Sequence, residues 1–130
     1  MSGAVFIEPS RRLIVVPATI ANGESLSAAI PLRGYTLKGI IMPGAWTAAA
    51  ITLQMSDKES GTYVDVYDDG GTEISLTVAA SRYVGIGAGS GRNFVIGGIP
   101  FLKVRSGSSA VPVAQAAERA LLLVLGVALT

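Results

Sequence analysis

The chain has 130 residues, of which half are hydrophobic and 15% are charged, and its net charge at pH 7 is +1. This composition predicts one folded domain and excludes a disordered chain, which would combine low hydrophobicity with high net charge. Lysine and arginine residues are scattered singly, apart from the pair Arg11 and Arg12. We therefore expect no nucleic-acid partner, because no basic stripe is present to neutralise a row of phosphates.

Cysteine and histidine are both absent from the sequence. Without them the chain has no disulfide, no thiolate nucleophile, no Ser-His pair and no zinc site of the usual kind. An enzyme would have to use carboxylates, lysine, tyrosine and serine alone. The sequence therefore predicts a protein that is not an enzyme, with no catalytic residue, no cofactor and no metal site. The shortage of charge also predicts exposed apolar patches, which usually mark contact with another protein.

Neither end of the chain has the pattern of a targeting or membrane segment. The positive pair near the N-terminus follows the apolar residues 5–7, which is the wrong order for a secretion signal. The uncharged apolar run that starts at Ala120 is much shorter than the roughly 20 residues needed to span a bilayer. We therefore expect no membrane partner.

Residues 1–16 are expected to form an extended N-terminal arm that precedes a β domain at residues 17–130. Pro9 interrupts regular strand pairing in this segment, and the arginine pair could meet acidic groups on a partner. The alternative is that residues 5–7 and 13–16 are edge strands of the protein's own sheet. The predicted partner contacts are Val5, Phe6, Ile7, Arg11 and Arg12.

Short apolar runs separated by turn residues predict an all-β fold, an antiparallel β-sandwich. Residues 25–32 and 36–43 each follow a turn pair, Asn-Gly and Arg-Gly, which predicts two successive strands linked by a turn. Ile51, Leu53 and Met55 alternate with polar residues and predict a half-buried strand. Further strands are predicted at residues 63–67, 72–78, 81–86, 93–99 and 101–107.

Four of the nine acidic residues, Asp65, Asp68, Asp69 and Glu73, lie close together in the sequence. Alternation places Asp65 on the outward side of a strand, and the sequence DDGG that follows suits a tight or bulged hairpin turn. The acidic positions do not match the spacing of a helix-loop-helix calcium loop. A cation held by Asp68 and Asp69 in an exposed loop, and a glycosidase-like acid pair, are the alternatives to the hairpin.

Two further segments have more than one interpretation. The Gly-rich residues 85–91 lack the Gly-Lys-Ser/Thr ending of a phosphate-binding loop, so we expect a connection between strands. Trp46, the single tryptophan, is expected to fill one end of the core, and the alternative is a stacking platform for a sugar or a base.

The C-terminal residues 120–127 form a continuous apolar run whose composition suits a helix and whose pattern suits a strand buried on both faces. Gly126 would weaken a helix near its end. We predict a strand.

The stretch IIMPGAWTAAAITLQMSDKESGTYVDVYDDGGTEI, together with FLKVRSG, resembles a family of small structural proteins of tailed phages and related prophages. The likeness extends over residues 17–125, and the Gly-rich segment and the apolar tail beyond Val124 depart from the family pattern. The residues that carry the likeness are Pro43, Ala45, Trp46, Thr47, Ser56, Asp57, Tyr63, Tyr67, Asp68 and residues 101–107.

This resemblance implies a virion component with a jelly-roll-like core, and for a chain of this size a capsid decoration (cement) protein on the outer surface of a phage head. The protein would be made in the host cytoplasm. The implied partners are the major capsid protein and further copies of the chain, most simply in a homotrimer, because a shell protein gains avidity from several contacts at once. The alternative is a tail or fibre subunit that binds a host-surface glycan.

Overall fold

A computed structural model of the chain describes residues 13–86 and 98–127. Every regular element in these two ranges is a β-strand, and no helix there is long and apolar enough to cross a membrane. The strands are β1 (Leu13–Ile20), β2 (Ile30–Pro31), β3 (Tyr35–Ile41), β4 (Ile51–Ser56), β5 (Val64–Asp65), β6 (Ser75–Leu76), β7 (Tyr83–Gly85), β8 (Phe101–Ser106) and β9 (Arg119–Val127).

The strands form two antiparallel sheets. Sheet 1 has the order β1-β9-β3-β7, and sheet 2 has the order β2-β8-β4-β5, with β6 also paired to β4. The buried hydrophobic residues of both sheets belong to one core cluster, which includes Leu121 and Leu123 from sheet 1 and Leu53 and Val104 from sheet 2. The predicted all-β class is confirmed, and the two sheets pack in a sandwich-like arrangement.

The central strand β9 shows why a nearly continuous apolar run forms a strand here. Leu121, Leu123 and Leu125 are at most 1% exposed and belong to the core. Leu122 and Val124, on the other side of the sheet, are half-buried. β9 has β1 on one side and β3 on the other, so its backbone is paired along both edges and it can be apolar on both faces. The predicted strand at residues 120–127 is confirmed.

The predicted turn-linked strand pair at residues 25–32 and 36–43 is wrong in its pairing. Arg33 and Gly34 do form a turn, with φ angles of 53° and 84°, but the chain crosses there from β2 in sheet 2 to β3 in sheet 1. Earlier in the segment the Val104 N–H donates to the Ser27 hydroxyl at 2.9 Å. A side-chain acceptor of this kind competes with the regular strand ladder, so only the two residues of β2 pair as a strand.

Residues 13–16, which the sequence assigns either to an arm or to an edge strand, are the first half of β1. This strand lies at the edge of sheet 1 and pairs with β9 from Leu13 opposite Gly126 to Ile20 opposite Arg119. The rest of the predicted arm, residues 1–12, lies outside the described residues, as do residues 87–97, which include most of the Gly-rich segment and of the predicted strand at 93–99.

Candidate protein interface

The acidic segment forms a tight turn, as the sequence predicts. The Asp68 carboxylate accepts hydrogen bonds from the backbone N–H groups of Gly70 and Thr72, each at 2.9 Å. The turn closes where the Ile74 N–H donates to the Val66 carbonyl at 3.0 Å. Beyond this point the two arms do not pair with each other, because β5 and β6 both pair with β4, one after the other. The segment is therefore one interrupted strand with a turn projecting from it.

The other two carboxylates of the acidic segment lie on either side of this turn and converge on Arg105. Arg105 Nη1 is 2.7 Å from Asp65 Oδ1, and Nη2 is 2.7 Å from Glu73 Oε2. The guanidinium also donates through Nε to Thr52 Oγ1 at 2.9 Å. Arg105 is only 6% exposed, and a buried charge without a partner would destabilise the fold. Each arm of the turn provides one carboxylate that pairs with this charge.

These contacts form a structural ion cluster. The hydrogen bond from Arg105 lowers the pKa of the Asp65 carboxyl, because it favours the charged form more strongly than partial burial disfavours it. Glu73 also accepts hydrogen bonds from the Ser109 N–H at 3.3 Å and from the Ser109 hydroxyl at 3.2 Å. The cluster thus ties the acidic turn to β4, β8 and the loop after β8. Within residues 13–86 and 98–127, no group of three or more acidic side chains is placed to hold a metal ion.

The sequence predicts an outward-facing Asp65 but does not reveal Arg105 as the partner of Asp65 and Glu73. A partial signal for the pairing exists, because period-two alternation places Asp65 and Arg105 on the outward sides of their strands. The sequence does not give the register of the strands. In the structure Gln54 of β4 is opposite Asp65 of β5, and Thr52 of β4 is opposite Arg105 of β8. Alternation alone does not specify which strands are neighbours or how they are aligned.

The outer side of sheet 1, turned away from the core, has no charged residue at its paired positions. We call this surface the apolar face. It consists of Leu13, Val15, Pro17 and Thr19 of β1, Ala120, Leu122, Val124 and Gly126 of β9, Thr36, Gly39 and Ile41 of β3, and Tyr83 and Gly85 of β7.

Large hydrophobic side chains are exposed on three of the four strands of the apolar face. The exposed fraction is 62% for Leu13, 52% for Val15, 39% for Ile41 and 54% for Tyr83. Single exposed hydrophobic residues are ordinary on a protein surface, whereas a contiguous group of them on one side of a sheet usually marks an interaction site.

The charged residues in the strands of sheet 1 are Lys38 and Arg119. Arg119 lies at the beginning of β9, where it donates to Gln115 Oε1 at 3.1 Å and to Thr47 Oγ1 at 3.3 Å. Lys38 lies at the bulge in β3, and its aliphatic carbons run beside Gly126. Arg119 therefore lies outside the apolar face, whereas Lys38 extends over its Gly126 end. The paired positions nearer the centre of the face are uncharged.

Tyr83 covers part of β3 on the apolar face. Its ring lies over Gly39, where any side chain would overlap the ring. Its hydroxyl donates to the Lys38 carbonyl at 3.3 Å. Glycine at position 39 thus lets the tyrosine ring lie across the sheet and extend the apolar surface.

The outer side of sheet 2 has the opposite character. β8 places Lys103 and Arg105 there, and β4 places Gln54 and Thr52 opposite them, with Asp65 beside Gln54. The charges of Arg105 and Asp65 are paired with each other within the protein. The two outer surfaces of the same domain therefore differ, one being polar with internally paired charges and the other apolar and exposed.

Trp46 packs against the core, as the sequence predicts, but it is only half-buried. It lines a shallow groove of about 350 Å³, and its indole Nε1 donates to the Ala49 carbonyl at 3.1 Å. The other side chains around the groove are alanines and Val78, except for Thr77. One hydroxyl is a poor match for a sugar, whose orientation in a site is fixed by several polar groups. The groove thus favours the core role of Trp46 over glycan binding.

The five partner contacts predicted from the sequence, Val5, Phe6, Ile7, Arg11 and Arg12, lie outside the described residues. Within the described residues, the apolar face is the surface whose composition best fits a protein partner, because it combines aliphatic and aromatic side chains with an uncharged centre.

Comparison of the chain with protein-family models, with curated proteins and with solved structures gave no match. The indications of function therefore come from the surfaces of the molecule and from its sequence.

Proposed function

We propose that this chain is a non-enzymatic structural protein that binds other protein subunits, and that it acts as a capsid decoration (cement) protein on the outer surface of a phage head. The observation that carries the protein-binding part is the apolar face of sheet 1. The phage assignment comes from the sequence resemblance described above.

The size of the apolar face supports a protein partner. Its four strands have a mean length of about seven residues. At about 4.8 Å between strands and roughly 3.4 Å per residue, they give a surface of roughly 450 Å². Apolar patches of about 300 to 600 Å² are the largest that monomeric proteins usually expose, and they are often functional. A partner that covers this surface removes it from water, which contributes about 25 cal/mol per Å² of apolar area before the costs of association.

We further propose that the topology is jelly-roll-like. If β5 and β6 are counted as one interrupted strand, the described residues give each sheet four strands, and successive described strands change sheet except between β4 and that interrupted strand. This order supports a jelly roll, which has eight strands in two sheets and occurs in viral capsid and lectin domains. The fold supports the proposed class of protein without specifying its partner.

The proposed partners are the major capsid protein and two further copies of the chain in a homotrimer. In this scheme the sequence segment with Val5, Phe6, Ile7, Arg11 and Arg12 supplies contacts to the shell. A closed oligomer on a symmetry axis of the head would engage several capsid subunits at once and gain avidity.

The test of the decoration function is binding of the purified full-length protein to heads prepared without it, measured by cosedimentation over a concentration series. We expect saturable binding, with a fixed number of copies per head, and weaker binding by a form that lacks residues 1–12. Full-length protein that remains in the supernatant at every concentration would contradict the decoration function. A truncated form that binds as tightly as the full-length chain would reject only the proposed role of the first 12 residues.

A further inference from the structure

We propose that the apolar face of sheet 1 is the surface through which copies of this chain bind one another. This inference rests on the protein-binding part of the proposed function and names the occupant of the surface as a second copy of the same chain. Because the same face is used by both copies, the contact has a two-fold axis and is separate from the contacts of the proposed homotrimer.

The absence of charge at the centre of the apolar face favours a self-contact. When a surface lies on a two-fold or three-fold axis, each group near the axis lies close to its own copy, so a charge there would face an identical charge. The paired positions of the apolar face carry none, and Lys38, at the bulge of β3, extends over its Gly126 end. On the outer side of sheet 2 Arg105 is neutralised by Asp65 and Glu73, but Lys103 would lie near its own copy in the same arrangement.

The shape of the surface also favours another sheet as its partner. Sheets pack face to face about 10 Å apart when their facing side chains are apolar and of moderate size. The apolar face has this composition, with valine, leucine and isoleucine near its centre and glycine at positions 39 and 126. A second copy provides a complementary surface of the same kind without any further component.

The area that two apolar faces would bury is close to the lower limit for a specific interface. Two apolar faces of roughly 450 Å² each would remove roughly 900 Å² from water, close to the lower limit of about 1,000 Å² for specific contacts. Side chains at the rim, including the exposed Leu13 and the aliphatic part of Lys38, add to this area.

Association along the strand edge is the less favourable mode. β1 is an edge strand of sheet 1 and contains Pro17 near its middle. Proline has no backbone N–H, and on edge strands it commonly prevents another strand from being added. Face-to-face packing uses the same exposed side chains of β1 and does not depend on backbone hydrogen bonds from position 17.

The experiment is to measure the solution mass of the full-length chain over a concentration series by analytical ultracentrifugation. Two variants place a charge on the apolar face at different strands, Val15→Lys on β1 and Ile41→Lys on β3. The matched control is Val111→Lys, because Val111 is 65% exposed and lies in the loop after β8, outside both sheets. Circular dichroism and thermal melting establish that each variant is folded.

We expect the wild-type chain and Val111→Lys to form an oligomer with a mass that is a small multiple of 13.3 kDa. The dissociation constant of the oligomer should be about 100-fold higher, or more, for each folded face variant than for the wild type. The reason is that an unpaired ammonium group in an apolar contact costs several kcal/mol. If only one face variant folds, that variant decides the outcome.

A wild-type chain that stays monomeric at all concentrations would overturn the inference, and so would folded face variants that associate as the wild type does. These outcomes are distinct from failure of the decoration function. If the chain is monomeric but binds heads saturably, the decoration function is supported and self-association is contradicted. If the chain forms an oligomer through the apolar face but does not bind heads, self-association is supported and the decoration function is contradicted.

Discussion

Replacing Arg105 with methionine should destabilise the fold by about 3 to 5 kcal/mol, the usual cost of removing one partner from a buried ion pair. Arg105 is 6% exposed and donates to Thr52, Asp65 and Glu73. Methionine retains an unbranched apolar side chain, so little of the loss should come from a cavity. The main loss should come from carboxylates left without their cation.

The two carboxylates should contribute unequally to this loss. The Glu73 side chain is 14% exposed and remains largely shielded from water after the substitution, whereas the Asp65 side chain is 32% exposed and can be rehydrated. Hydrogen bonds that involve charged groups contribute about 1.5 to 3 kcal/mol, and exposure to solvent reduces that value. The double variant Arg105→Met/Glu73→Gln should therefore recover about 1 to 2 kcal/mol relative to Arg105→Met, because it removes the more buried unpaired charge.

The pH dependence provides a second readout of the same cluster. Because Arg105 lowers the native pKa of Asp65, the stabilisation is present above the ordinary aspartate value of about 3.9 and is lost as the pH falls through the lowered native value. The difference in stability between wild type and Arg105→Met should therefore be largest near neutral pH and should narrow in acid.

The assay is urea unfolding followed by circular dichroism at a fixed protein concentration, because association would make the stability depend on concentration. The series is run at neutral pH and in steps down to about pH 3, below the ordinary aspartate pKa. An Arg105→Met variant as stable as the wild type at neutral pH would refute the structural ion cluster. A stability difference that stays constant through the acid range would show that the Asp65 carboxylate does not contribute to the loss.

Three further substitutions test other parts of the fold by thermal and urea unfolding. Trp46→Ala should cost roughly 2 to 4 kcal/mol, less than for a wholly buried tryptophan, and unchanged stability would contradict its packing against the core. Asp68→Ala should cost about 1 kcal/mol because two backbone N–H groups lose their acceptor, whereas the exposed Asp69→Ala should change stability by less than about 0.5 kcal/mol; equal effects would contradict the turn. Gly39→Ala should cost about 1 to 3 kcal/mol through overlap with the Tyr83 ring, and the cost should largely vanish in a Tyr83→Ala background; an undiminished cost would contradict the overlap.

The sequence predicts those elements of the fold that depend on local pattern. In β4, Ile51 and Leu53 are fully buried and Met55 packs against the same core, as their alternation predicts. The DDGG turn also forms as predicted, because Asp68 satisfies nearby backbone N–H groups through contacts only two and four residues away.

Features that depend on which strands are neighbours could not be predicted in the same way. The Arg33-Gly34 turn was identified correctly, but a turn signal does not specify whether the chain returns to the same sheet or crosses to the other. For the same reason the sequence did not reveal that Arg105, 32 residues after Glu73, would neutralise it. The apolar face likewise emerges only when the registers of β1, β9, β3 and β7 align their outward residues.

The most direct test of the central claim, that the apolar face binds a second copy of the chain, is cross-linking of a single introduced cysteine. The natural sequence has no cysteine, so Val124→Cys places one thiol near the centre of this face, and Val111→Cys serves as the control. The reagent is a bismaleimide that spans about 10 Å, the separation of packed sheets. We predict rapid formation of covalent dimer by Val124→Cys at a protein concentration at which Val111→Cys remains monomeric on a denaturing gel. Equal cross-linking of the two variants, or none by a folded Val124→Cys, would contradict the claim.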